Sequence, residues 1–421
     1  MMGDQDSGGA GVDRRTMLRS AGALATAGAL LANGGGIAQA RPRPRTTSAA
    51  EGIALRLPTP TGPYRTGVTT LYLVDRRRRD PWDPKIPVRE VMVTVFYPAA
   101  RAVHGFPVAR QMTEDTASAF AQIAPLTHPQ LPKTGVNWAA TSTHSHTDAP
   151  ARPARHPVLL YSPGGGDPRT LGTAVAEELA SHGYAVVTVD HPGDAAVVSF
   201  PVECPGRTGT FRTTVFRGDP REQPKVFRTA IDTRVADLGF VLDQLEILTT
   251  GGNPAPNGLG GALDLGRVGA YGHSAGGTAV SEAMYEDRRI DAAINLEGYL
   301  DYAPEPPGHP GPLFPIARHG TRRPLLLLGT SDFPHPKELS RSWSATLTHP
   351  GSHTHHARIN DAAHWVFTDY AAMAPQLQTA GLMTPADRLS LIGPMPPTES
   401  IPLVRDHVRT FFAQHLPPRP H

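Results

Sequence analysis

Short apolar runs separated by helical patterns fill the chain from about residue 90 onward. Val158–Ser162, Ala185–Asp190, Val268–Tyr271, Ala292–Leu296 and Leu325–Gly329 are apolar with little alternation. Such runs suit strands covered on both faces, as in a mostly parallel sheet. Val91–Tyr97 is β-branched and alternating, with Pro98 ending it, and His355–Ile359 reads as the last strand. Between the runs, Ile231, Val235, Leu238, Leu242, Leu245 and Leu248 recur at three and four residues and predict one long helix face. Leu171–Ser181 reads as a helix stopped by Gly183, and Pro402–Leu416 as a terminal helix. Strands alternating with helices predict an α/β fold: a doubly wound, mostly parallel sheet with helices on both faces.

Two long segments fit no regular element. Residues 101–155 mix Pro, His and Thr with a few large apolar side chains, and residues 193–225 are rich in Gly, Pro and Arg. In a compact domain they read as loop insertions, lids or binding loops. At the other end of the chain, Asp13-Arg14-Arg15-Thr16-Met17-Leu18 is a twin-arginine pattern. The mildly apolar Ala21–Ala32 follows it, and then Ala38-Gln39-Ala40, an A-x-A cleavage site. This order predicts a Tat signal peptide over 1–40, hence a bacterial protein that is secreted or held at the cell envelope. An extended linker, 41–50, then leads into a single domain, 51–421.

The 421 residues carry a formal charge of +2 and 39% hydrophobic side chains, enough for a sizeable core. No concentrated basic face points to nucleic acid. Arg76–Arg79, between Asp75 and Asp80-Pro81, reads as a solvated loop. Cys204 is the only cysteine, so no intramolecular disulfide can form, and its Pro-Gly context supplies no base to activate a thiol. His353-Thr354-His355-His356 and His144-Ser145-His146 lack the further fixed ligands of a zinc site and read as polar loop and strand entry. No cofactor, metal or obligate protein partner is expected.

Gly272-His273-Ser274-Ala275-Gly276-Gly277 matches G-x-S-x-G. The bare motif is weak, but a strand precedes it (Gly266–Tyr271) and a helical pattern follows (Thr278–Met284). That is the strand–turn–helix elbow of the α/β-hydrolase fold, which exposes a nucleophilic serine. A serine hydroxyl needs a histidine to take its proton and an acid to orient that histidine, in chain order Ser, acid, His. His364, in the loop after the last strand, fits the base. Glu297, ending Ala292–Leu296, and Asp332, following Leu325–Gly329, both fit the acid, and order alone does not separate them. An oxyanion hole would take one N–H from Ala275 and another from the glycine loop Ser162-Pro163-Gly164-Gly165-Gly166-Asp167.

Taken together these segments resemble the plasma-type platelet-activating factor acetylhydrolases, from Thr61-Gly62-Pro63-Tyr64 to His364. Ser162–Gly166 stands where the family has a Ser-His-Gly-x-Gly loop, and Leu179–Tyr184 with Val189-Asp190-His191 resemble the helix and strand that follow. Gly272–Gly277 matches the family's elbow. The resemblance places the acid at Asn295-Leu296-Glu297, 23 residues beyond Ser274, and so favours Glu297, with Asp332 the alternative. By the same resemblance the second oxyanion N–H falls on Gly165. Two departures stand out: Glu replaces the family's Asp, and Pro163 replaces its His.

The expected activity is ester hydrolysis through an acyl-enzyme. The resemblance implies short or truncated acyl esters such as sn-2 acetyl phospholipids, with transient contact to a lipid surface. A secreted, cutinase-like lipase or polyester hydrolase acting on longer acyl chains uses the same triad. A binding protein that kept the fold and lost the chemistry is the reading from another class. The presence of Ser274, Glu297 and His364 together weighs against it.

Overall fold

Strand His156–Ser162 shows how the doubly covered sheet arises. Val158 and Leu160 point into one apolar cluster, while Leu159 and Tyr161 point into another on the opposite face. Period-two side chains that are apolar at every position require cover on both sides. Residues 52–252, 255–305 and 309–418 are described by the computed structural model. They belong to one compact unit running from Thr47 to His421. The predicted signal peptide and linker lie outside the described residues.

The strands are β1 (Thr66–Asp75), β2 (Arg89–Pro98), β3 (Val108–Arg110), β4 (Ser142–Thr147), β5 (His156–Ser162) and β6 (Ala185–Asp190). They continue as β7 (Val197–Ser199), β8 (Phe211–Thr213), β9 (Leu263–His273), β10 (Ile290–Leu296), β11 (Leu325–Thr330) and β12 (Thr354–Ile359). Ten of these form one sheet in the order β12-β11-β10-β9-β5-β6-β2-β1-β4-β3. From β12 to β6 the neighbours are parallel, and β2 joins β6 antiparallel. The helices are α1 (Glu114–Thr127), α2 (Thr173–Ser181), α3 (Pro224–Thr249), α4 (Leu259–Ala262) and α5 (Ala275–Glu286). After them come α6 (Pro315–His319), α7 (Pro336–Leu347), α8 (Tyr370–Thr379), α9 (Pro385–Ile392) and α10 (Pro397–His415). α3 and α5 pack into the cluster of Val158 and Leu160, and α2 and α10 into that of Leu159 and Tyr161.

Several expectations need correction. Residues 101–155 are not a bare loop: they hold β3, α1 and β4, and Phe120 and Trp138 meet edge-to-face in a third apolar cluster. Residues 193–225 carry the β7–β8 ribbon. β1 escaped the sequence reading because its start, Thr-Gly-Val-Thr-Thr, is polar, yet it pairs with β2 along its whole length. The terminal helix begins at Pro397, which occupies the favoured first turn, so Pro402 lies inside it. The arginine run is only partly solvated, because Arg78 reaches Asp75 and, at 2.9 Å, Asp237. Among the described residues no helix is long and apolar enough to cross a membrane.

Candidate active site

β9 delivers the chain to Ser274, which adopts φ 54° and ψ −122° before α5 begins. A non-glycine residue in this region stores roughly 1–3 kcal/mol of strain, and its surroundings must hold it there. The Ser274 N–H donates to the Leu296 carbonyl of β10 at 2.8 Å, tying the turn to the neighbouring strand. The flanking glycines are steric necessities. A Cβ at Gly272 would lie 2.3 Å from the Gly276 carbonyl oxygen, and one at Gly276 would lie 1.9 Å from that of Ser162.

At the end of β10 Glu297 also takes a left-handed conformation, φ 63°, and is buried. Its Oε2 lies 2.7 Å from His364 Nδ1. Its Oε1 accepts the Thr330 N–H at 2.5 Å and the Thr330 hydroxyl at 2.7 Å, at the end of β11. The carboxylate only accepts, so Nδ1 carries the imidazole proton and Nε2 is left as the basic nitrogen. Asp332 is exposed; its Oδ1 accepts the Ser331 hydroxyl at 2.9 Å and its N–H donates to Ala362. Of the two acids, only Glu297 is bonded to His364. That histidine is buried rather than superficial, packed edge-on to Trp365 and against Phe333.

His273, the variable residue of the elbow motif, is buried beneath. Its Nε2–H donates to the His364 carbonyl at 2.9 Å. Burial first, and then the nearby His364, depress its pKa well below the ordinary 6.5, so it stays neutral and props the histidine loop. Gly165 lies near Ala275: a Cβ on Gly165 would stand 3.7 Å from the Ala275 Cβ and 3.8 Å from the Phe216 ring. No group of three or more His, Cys, Asp or Glu among the described residues is arranged to hold a metal ion.

The model of the family "Platelet-activating factor acetylhydrolase, isoform II" matches residues 55–388. The chain belongs to that family. A relative from Arthroderma benhamiae, a probable 1-alkyl-2-acetylglycerophosphocholine esterase, is 28% identical over 85% of this chain and 87% of its own. The platelet-activating factor acetylhydrolase of Bos taurus is 23% identical over 51% of this chain and 49% of its own. Among solved structures, a ferulic acid esterase from Streptomyces cinnamoneus superposes with a TM-score of 0.66 at 30% identity, covering 88% of this chain and 95% of that one. The chain is a carboxylic ester hydrolase with the α/β-hydrolase fold.

In this family member the glycine loop rests on a buried charge network that its sequence pattern hid. Arg234 of α3 is fully buried and uses every guanidinium N–H. Nε and Nη2 hold Asp194 at 2.6 and 2.8 Å; Nη1 donates to the Pro163 carbonyl at 2.5 Å and to Ser162 Oγ at 3.1 Å; Nη2 also donates to the Gly164 carbonyl at 2.9 Å. Asp194 in turn accepts the Gly166 N–H at 3.0 Å. Because C=O and N–H point oppositely across a trans peptide, pulling the Gly164 carbonyl toward Arg234 turns the Gly165 N–H away from it. Behind Arg234, Ser162 Oγ meets His191 Nε2 at 3.0 Å, and His191 Nδ1–H donates to Asp237 at 3.0 Å. Burial alone would raise the Asp237 pKa. Arg89 and the His191 bond outweigh it and hold the carboxyl below its ordinary value. Arg234 and Asp237 sit on the inner side of a helix where periodicity predicted only Ile, Val and Leu. The one sequence signal was the place of Arg234, three residues after Ile231 and four before Leu238.

Proposed function

We propose that Ser274, His364 and Glu297 are the nucleophile, base and orienting acid of this hydrolase, working through an acyl-enzyme. The observation that carries the reading is the His364–Glu297 bond of 2.7 Å, at the strand ends that also bear the strained Ser274. His364 Nε2 takes the Ser274 Oγ proton as that oxygen attacks the ester carbonyl carbon. The displaced carbonyl electrons gather on an oxyanion received by the Gly165 and Ala275 N–H groups. Collapse breaks the ester C–O bond, and the alkoxide leaves with the proton from His364. Water then repeats the sequence to release the acid. Glu297 keeps the imidazole in the useful tautomer and balances the imidazolium.

The substrates we assign are short or truncated acyl esters, such as sn-2 acetyl phospholipids, in line with the names of the relatives. A second reading, aromatic acyl esters, has its own support. The esterase structure is more similar over more of the chain than the bovine relative, and the ring of Phe333 stands 5.1 Å from His364 with Tyr299 packed edge-on behind it at 5.6 Å. An ester panel from acetyl to palmitoyl, with truncated phospholipids and methyl ferulate, separates these readings from a long-chain lipase. Ser274→Ala should lose at least ~10³-fold on every substrate while folding normally. Retention of more than a tenth of wild-type turnover, or no labelling of Ser274 by a fluorophosphonate, would remove the triad. Export by the Tat route, with removal of residues 1–40, completes the proposal; the Arg14-Arg15 pair and Ala38-Gln39-Ala40 support it.

A further inference from the structure

A cavity of ≈ 560 Å³ opens on the sheet face that carries α2, and none of Ser274, Glu297, His364 or Gly165 lines it. Its size lies within the range of small-molecule sites. The floor is built by strand register. Thr70 of β1 is paired with Thr94 of β2, and Thr94 with Thr188 of β6, so three hydroxyls form one row across three strands. On the same face the next row toward the apolar cluster is Val68, Phe96 and Val186. Valine has the shape and strand preference of threonine, so sheet formation alone does not call for hydroxyls here.

The charged side chains of the lining balance, Arg110 and Arg169 against Asp148 and Asp190. Arg169 pairs with Asp190, and its Nε–H donates to Thr94 Oγ1 at 2.8 Å. Thr94 Oγ1 also shares a long contact of 3.4 Å with Thr70 Oγ1, in which either hydroxyl can donate. Thr188 Oγ1 donates to the Thr94 carbonyl at 3.4 Å, so both bonds are long enough to yield to a better-placed partner. In the wall, Thr170 Oγ1 is buried and makes no hydrogen bond to any described residue. Hydroxyl donors and acceptors, a neutralised ion pair and the apolar flanks of Phe96 and Met92 together match a ligand with many hydroxyls, apolar C–H faces and no net charge.

We propose that this cavity binds a neutral saccharide through the Thr70–Thr94–Thr188 row and the Arg169–Asp190 pair. It is a second site, independent of ester hydrolysis. The sugar could come from a glycan chain or from a glycolipid headgroup, and the test separates them. Xylohexaose, cellohexaose, octyl glucoside below its micelle concentration and polygalacturonate are titrated by calorimetry into the wild type, the triple variant Thr70→Val/Thr94→Val/Thr188→Val, and Thr94→Val alone. Hydrolysis of a soluble nitrophenyl ester, unchanged in both variants, reports folding. Each lost neutral hydrogen bond weakens binding about five-fold. Saturable binding of a neutral ligand should therefore weaken at least ~10-fold in the triple variant and several-fold in Thr94→Val. Tighter binding of a hexaose than of octyl glucoside assigns a glycan chain, and the reverse assigns a glycolipid. Absence of saturable binding to all three neutral ligands, equal binding by the variants, or preference for polygalacturonate would overturn the proposal.

Discussion

Replacing Arg234 by Lys tests whether the glycine loop must be held from behind for catalysis. The five guanidinium N–H groups serve Asp194, Ser162 and the Pro163 and Gly164 carbonyls at once. A lysine ammonium keeps the charge beside Asp194 but has three donors radiating from one point, and it cannot span the carboxylate and both carbonyls. The unanchored 164–165 peptide is then free to rotate, and the Gly165 N–H loses its fixed direction. Removing an oxyanion-hole donor outright costs about 10²–10³ in kcat. Loss of direction rather than of the donor should cost ~10–100-fold in kcat, with KM changed by only a few-fold. Arg234→Met is unsuitable, because it strands a buried Asp194 at a stability cost of about 3–5 kcal/mol. The assay is kcat and KM on a soluble short-chain aryl ester, with fluorophosphonate titration of active sites and a melting curve. A lysine variant that melts earlier yet keeps wild-type kcat per titrated site would refute the reasoning. Inactivity of Ser274→Ala in the same series keeps that result distinct from failure of the triad itself.

Glu297→Gln should lose up to about 10⁴ in turnover, since a neutral amide leaves His364 in the wrong tautomer. Asp332→Asn should change activity only a few-fold; kcat/KM on one ester, with circular dichroism for folding, compares them, and a dead Asp332→Asn would reverse the assignment. Arg14→Lys with Arg15→Lys should leave a full-length precursor inside the cell, so normal secretion of the double variant would point away from the Tat route. Glu282, buried on α5 near Glu286 and Asp232, has its pKa pushed up to about 7, chiefly by burial. A carboxyl raised in the folded state confers stability that is complete below its unfolded value and lost as pH climbs through about 7. From the ordinary 4.5 the shift corresponds to about 3 kcal/mol. Melting temperatures between about pH 5 and 8 should therefore fall more for wild type than for Glu282→Gln, and parallel curves would show that Glu282 does not titrate there.

The parallel core was readable because its strands are apolar on both faces. β5, β6, β10 and β11 fall within a residue or two of the runs that predicted them. The proposed Ser274 and His364 were picked out for a different reason: the fold calls for a nucleophile and a base at particular strand ends. What stayed hidden depends on partners distant in sequence. Arg89, Arg234 and Asp237 look like surface residues until β2, α3 and the segment after β6 come together, because burial of a charge is settled by its counter-ion and not by its neighbours in the chain. The insertion over 101–155 was obscured by composition, since α1 contains Pro125 and β4 alternates Ser, Thr and His.

A second Ser–His–acid chain lies near the proposed Ser274–His364–Glu297 triad, and physical reasons separate the two. Ser162, His191 and Asp237 have the connectivity of a triad, yet all three are buried, and Ser162 Oγ already accepts from Arg234 while donating to His191. A hydroxyl committed in both directions and sealed from substrate cannot approach a carbonyl carbon. Burial first, and then the nearby Arg234, depress the His191 pKa, so that imidazole resists the proton a base must take. Ser274 differs on each count. It is partly exposed, its backbone is strained into the turn that presents the side chain, and the histidine loop beside it is tied to an acid with two further hydrogen bonds of its own. The inner chain therefore serves the outer one. Ser162, His191 and Asp237 fix Arg234 and the root of the glycine loop, and disturbing them should act on turnover only through the position of the Gly165 N–H.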